Sequence, residues 1–128
     1  MSTIKTNTLT GTSTAGSIVV TGEGNSTTTN LQQGLAKAWI YFNASGPVNN
    51  GSFNVSSLSD DGTGSHTMTI SNVLNSTTDL NVQVSSNAYH TTQSSGPTVS
   101  TFQLSTFHSN NASLDAGRNY ITVFGDLA

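Results

Sequence analysis

The sequence predicts an all-β protein: an extended N-terminal arm followed by an antiparallel β-sandwich with jelly-roll-like strand spacing. Three observations carry that expectation. Apolar and polar residues alternate in short runs such as "SHTMTI" and "DLNVQV", the period of half-buried strands. Clusters of Gly, Asn, Asp and Pro punctuate these runs at regular intervals, as turns do in sandwiches and barrels. Thr is abundant, and its branched Cβ crowds a helix but suits extended backbone.

Residues 1–24, "MSTIKTNTLTGTSTAGSIVVTGEG", read as the arm. Gly11 and Gly16 mark turns between short strands. The apolar residues Ile4, Leu9, Ile18, Val19 and Val20 are too sparse to offset the entropy of ordering the segment. The arm therefore needs a partner, either the rest of the chain or a neighbouring subunit. Residues 25–128 form the sandwich domain. "NSTTTN" is a polar link, and Asn30 is placed to cap a short helix through "LQQGLAKA", with Leu31 and Leu35 one turn apart. Gly34 opposes that helix by about 1 kcal/mol.

From Ala38 the pattern is β. "AWIYF" carries bulk on both faces, the mark of a strand buried on both. "GPVNNG" is a turn, and "SFNVSS" puts Phe53 and Val55 on one face. "DDGTG", residues 60–64, is a hairpin connection. Met68 and Ile70 share a face opposite Thr67 and Thr69. Leu80, Val82 and Val84 share another, and Phe102 and Leu104 mark a further strand. "RNYITVFG" is apolar on both faces, so it is expected to be central.

Composition narrows the function classes. Leu, Ile, Val and Phe supply 28 of 128 residues, a light core that favours association with other copies. Charged residues are 7%, against about 25% in ordinary domains, while Ser, Thr, Asn and Gly make up 67 residues. Such a surface suits a component of a large assembly or a protein exposed outside cells. Lys5, Lys37 and Arg118 are the only cations, too few for a nucleic-acid footprint. No apolar run approaches the ~20 residues of a membrane span, and the start lacks the apolar core of a secretory signal. Release by lysis fits that combination.

Catalytic patterns are weak. His66, His90 and His108 form no metal-binding motif and read as structural or surface residues. Asp60 and Asp61 lack the alternating oxygen ligands and distal Glu of a calcium loop, and neighbours on a strand point to opposite faces, which excludes an acid pair. No cofactor or metal is expected. The sequons at Asn25, Asn43, Asn50, Asn54, Asn75 and Asn111 follow from composition. Ice binding by the Thr runs would need a strict repeat. "AWIYFN" has two readings, a sugar-stacking platform or a core segment with a subunit contact, and its two-sided bulk favours the second. On that reading Trp39, Ile40, Tyr41 and Phe42, with Tyr120, Ile121 and Phe124, form the core and oligomer contacts. Ile4, Leu9, Ile18 and Val20 dock the arm.

The stretches "KAWIYFN", "SFNVSSLSDDGTG" and "SHTMTI" resemble a segment of fibre-type and decoration virion proteins of tailed phages that infect marine cyanobacteria. The resemblance covers about residues 36–70. It implies a non-enzymatic virion component, commonly a homotrimer, whose partners are its own copies and other capsid or tail proteins. A small fibre, a capsid decoration protein and a tail appendage all fit, with the virion as location. The alternative expectation is a receptor-binding module for host-surface polysaccharide. Neither reading involves nucleic acid or membrane insertion.

Overall fold

The computed structural model describes residues 3–13, 18–21, 28–93 and 96–128, and among these described residues are ten strands and one helical turn. The expected turn at Gly16 and the Asn25 end of the polar link lie outside the described residues. The chain divides into two units, residues 1–35 and 36–128. The boundary thus falls later than the expected break between residues 24 and 25.

In the first unit, β1 (Val19–Thr21) pairs antiparallel with β2 (Thr28–Asn30). "TTN" is therefore a strand, not only a link. Its hydroxyl-rich residues gave no apolar alternation to reveal it. The expected helix shrinks to one turn, α1 (Leu31–Gly34), whose first N–H donates to the Ile18 carbonyl at 2.8 Å. Gly34 ends it and the chain is extended again from Ala36, because the alternating bulk of "AKAWIYFN" suits a sheet better than a second helical turn. Ile4, Leu9 and Val20 are exposed in this unit, and Ile18 is half-buried.

The second unit is a β-sandwich of two four-stranded antiparallel sheets. The first has the order β4 (Val48–Phe53), β3 (Ala36–Asn43), β10 (Asn119–Phe124), β7 (Asn81–Ser86). The second has the order β5 (Val55–Gly62), β6 (Ser65–Ile70), β9 (Thr101–Phe107), β8 (His90–Gln93). β10 lies between β3 and β7, the central position expected for "YITVF". β8 was invisible to apolar alternation because "HTTQ" carries no apolar side chain.

The core lies between the sheets. Ala38, Ile40 and Phe42 of β3 and Ile121 and Val123 of β10 meet Met68 and Ile70 of β6 and Phe102 and Leu104 of β9. Val82 and Val84 pack against this cluster, as does Leu80. The alternations read for β6, β7 and β9 thus point as expected. At roughly 1.5–3 kcal/mol per large apolar side chain, this layer is the main driving force for folding.

Two local devices shape the sandwich. "SFNVSS" is not one strand: the chain passes from the first sheet to the second at Asn54, whose φ is 56°. Asn tolerates this left-handed conformation better than other non-glycine residues. Its Nδ2 donates to the carbonyls of Lys37 (2.9 Å) and Asn72 (3.1 Å), and its Oδ1 accepts the Asn72 N–H at 2.8 Å. Phe53 and Val55 consequently belong to different sheets. "GPVNNG" is likewise mostly strand, with the turn confined to residues 44–47 and β4 bulged where register shifts opposite Tyr41/Phe42. The "DDGTG" hairpin joins β5 to β6 as expected, but Asp60, Asp61 and Gly62 lie in β5 and the turn is confined to residues 63–64. Gly64 there has φ +74°, and a Cβ on it would lie 2.6 Å from the Thr106 carbonyl oxygen. Its N–H donates to Asp115 Oδ1 at 2.6 Å, which ties the hairpin to the loop before β10.

Candidate functional site: an aromatic outer face

Period-two geometry sends alternate residues of β3 to opposite sides of its sheet. Ala38, Ile40 and Phe42 point inward and are buried, while Trp39 points outward and is 41% exposed. Tyr41 points outward too and is half-buried. On β10, Ile121 and Val123 point inward, while Tyr120 points outward and is 42% exposed. Phe124 is half-buried at the strand end. Within one chain, each of "AWIYF" and "YITVF" is buried on its inner side only; the second burial expected of them is the contact with a sister copy. Ile40, Phe42 and Ile121 are core residues. Trp39, Tyr41 and Tyr120 are not.

Strand register gathers the outward rings. Tyr41 lies opposite Tyr120, and their rings stack with centroids 4.9 Å apart and planes inclined by 12°, within the range of favourable aromatic pairs. Trp39 lies opposite Phe53 on the β4 side and Thr122 on the β10 side. Phe53 is 54% exposed. The indole reaches diagonally over Gly51: a Cβ there would sit 3.6 Å from Trp39 Cζ3 and 3.8 Å from Cη2. The absent side chain at Gly51 leaves β4 low beside the ring. Across β10, Gln83 faces Thr122 and Ser85 faces Tyr120. The face thus holds two cross-strand ring pairs, Trp39 with Phe53 and Tyr41 with Tyr120, bordered by an amide and hydroxyls.

The charge pattern is as simple. Trp39, Tyr41, Gly51, Phe53, Gln83, Ser85, Tyr120 and Thr122 carry no ionised side chain. Arg118 precedes β10 and is exposed, and Lys37 near the start of β3 is buried. Burial pushes the Lys37 ammonium below the ordinary lysine pKa, and the Asp126 carboxylate partly restores it.

The other candidates do not converge. His66 is completely buried beside Phe42, with ring centroids 5.3 Å apart. Neither of its nitrogens has a hydrogen-bond partner, and Asp60 Oδ1 lies 3.9 Å from Nε2. His90 and His108 are exposed. Asp60 accepts the Gly62 N–H at 3.0 Å within the hairpin, while Asp61 accepts hydrogen bonds from Thr67 and Gln103. Among the described residues no group of three or more His, Cys, Asp or Glu is gathered as for a metal ion.

Sequence reasoning found Trp39, Tyr41 and Tyr120 as core and oligomer contacts without fixing which side of the sheet each takes. It missed Phe53, Gln83 and Ser85, because only register brings them alongside. The signal that could have exposed Phe53 is Asn54, a residue tolerant of positive φ between two β runs. No protein-family model, curated protein or solved structure matches the chain. The fold and this face therefore define its class: an all-β sandwich that displays an aromatic sheet surface.

Proposed function

We propose that the chain is a non-enzymatic structural protein of a tailed-phage virion, a small fibre, capsid decoration or tail appendage protein, that assembles as a homo-oligomer. Residues of the N-terminal unit join it to the particle or to sister subunits, and the sandwich is the displayed part. The resemblance of residues 36–70 to fibre-type virion segments supports this reading; that segment makes up β3 to β6, about half the sandwich strands. The observation that carries it is the division of labour in the chain. The sandwich has its own core, whereas the first unit holds Ile4 at 87% exposure together with exposed Leu9, Val19 and Val20. Exposed aliphatic side chains on a segment with little burial of its own are suited to insertion into a partner and to backbone pairing.

Particle incorporation tests the proposal. The double substitution Ile4→Asp and Leu9→Asp, or removal of residues 1–24, is expected to abolish incorporation while the sandwich stays folded and soluble. Normal incorporation of both variants would refute the docking role. Native mass in solution reads the oligomer number, with a trimer expected from the resemblance.

A second reading, recognition of host-surface polysaccharide, is favoured by one observation: the exposed aromatic rings with their neutral hydrogen-bonding border. It is compatible with the first, since the two use different parts of the chain.

A further inference from the structure

The outer face of the first sheet presents four aromatic rings, and among the described residues of 36–128 nothing covers Trp39, Phe53 and Tyr120 fully. Two occupants compete for it, a second copy of the sandwich and a saccharide. The ring area taken alone is small for a copy. Aromatic side chains bury roughly 150–250 Å² each, so the exposed parts of Trp39, Phe53 and Tyr120 amount to roughly 300 Å². A stable protein interface needs about 800 Å² per partner, with an apolar centre.

Chemistry favours the saccharide. The C–H faces of a sugar ring carry partial positive charge and pack on the electron-rich face of an aromatic ring. Sugar hydroxyls both donate and accept, so they need groups that do the same. Gln83, Ser85 and the phenol groups of Tyr41 and Tyr120 supply both functions at the border of the rings. The row Phe53–Trp39–Thr122–Gln83 crosses four strands, roughly 14 Å at about 4.8 Å per strand spacing, which fits a short run of sugar units. None of these groups is ionised, so the face offers nothing to neutralise a carboxylated or sulfated chain.

We infer that the outer face built from Trp39, Phe53, Tyr41 and Tyr120 is a binding site for an uncharged polysaccharide chain, oriented by Gln83 and Ser85. The inference rests on the polysaccharide reading above and gives it a surface and a ligand class.

The only tryptophan of the chain stands in the site, so its emission reports occupancy directly. Full-length protein is run in affinity gels containing a β-glucan, a galactomannan, a starch or, as the anionic probe, alginate, and Trp39 emission is titrated with fragments of each. Retardation by at least one neutral polysaccharide, with a change in Trp39 emission, is expected. Trp39→Ala and Tyr120→Ala are expected to weaken retardation about two- to tenfold, the scale of one lost aromatic stack. Thr67→Val, on the other sheet, is expected to leave it unchanged. All variants are first shown to melt cooperatively at near-native temperature.

Equal retardation of Trp39→Ala and the native protein would overturn the assignment of this face while leaving polysaccharide recognition standing. Absence of retardation by every polysaccharide would overturn both. Retardation by alginate alone would overturn the uncharged ligand class. A concentration-dependent change in Trp39 emission without sugar, abolished by Tyr120→Ala, would assign the face to a second copy and overturn the inference.

Discussion

The two outer faces of the sandwich differ more than its two inner ones. Both sheets send apolar side chains inward, but outward the first presents Trp39, Phe53, Tyr41 and Tyr120, while the second presents hydroxyls. On β6 the outward residues are Ser65, Thr67 and Thr69. Thr69 lies between Ser57 and Thr101, and Thr67 between Ser59 and Gln103. This second face satisfies part of itself: Thr67 donates to Asp61, and Gln103 donates to Ser65 at 3.1 Å and to Asp61 at 3.4 Å. Its hydroxyls are content in water. The rings of the first face have no such partner beyond one another. The difference teaches that inner faces hold this fold together and that only one outer face is left wanting a contact.

The largest expected effect tests the inner half of that statement. Phe42, completely buried, alternates with Trp39 and Tyr41 on one strand. Phe42→Ala should cost about 3–5 kcal/mol through lost burial and a residual cavity, read as a drop in the denaturation midpoint. A cost below about 1 kcal/mol would mean that the core is not where these strands place it.

The next effect runs in the stabilising direction. His66 occupies an inward position on β6 between Asp60 and Leu104 and beside Phe42; neither nitrogen has a hydrogen-bond partner, and the Asp60 carboxylate lies 3.9 Å from Nε2. Leaving a buried polar group unpaired costs about 1–3 kcal/mol. His66→Leu is therefore expected to raise stability by an amount of that order. A loss would show that the imidazole is satisfied by a group such as a bound water.

The comparison between the faces themselves predicts small stability effects and unequal binding effects. Thr67→Val removes one exposed hydrogen bond and is expected to cost less than about 1 kcal/mol. Trp39→Ala is expected to cost little more than that, since its outward ring is not part of the core. Parallel thermal melts check both. A Trp39→Ala loss as large as that of Phe42→Ala would erase the distinction between inner and outer faces.

The smallest effect concerns Lys37, near the start of the strand that carries Trp39. Its folded-state pKa lies below the ordinary value because burial disfavours the ammonium. Between the two values the unfolded chain binds more protons, so stability rises with pH across that window. Below the folded value both states are protonated and the cost of burying the cation is fully present. Lys37→Met is expected to be more stable than the native protein at neutral pH. Its advantage should shrink as pH rises toward 10.5. An advantage independent of pH would show that the ammonium is not disfavoured by its surroundings.

Much of the fold was readable from residue pattern. β6, β7 and β9 announce themselves because each sets apolar against polar residues, so alternation names both the strand and its buried side. The "DDGTG" hairpin is readable because only residues that tolerate positive φ serve there. "AWIYF" defeats this logic. Ile40 and Phe42 alternate with Trp39 and Tyr41, both series are bulky, and pattern alone cannot tell which one meets the opposite sheet. The passage at Asn54 was hidden by Phe53 and Val55, whose spacing mimics one strand. β2 and β8 were hidden because "TTN" and "HTTQ" carry no apolar side chain to alternate with polar ones. The aromatic residues were found but their side was not, and Phe53 joined them only through register.

The central claim is that the ring-bearing face is on the outside of the molecule. Iodide quenching of Trp39 in the native protein, from nanomolar to high micromolar concentration, tests it most directly. The emission is expected to be red-shifted and open to quencher throughout that range. A blue-shifted emission, shielded from iodide even at the lowest concentration, would contradict the account and place the indole inside an interface.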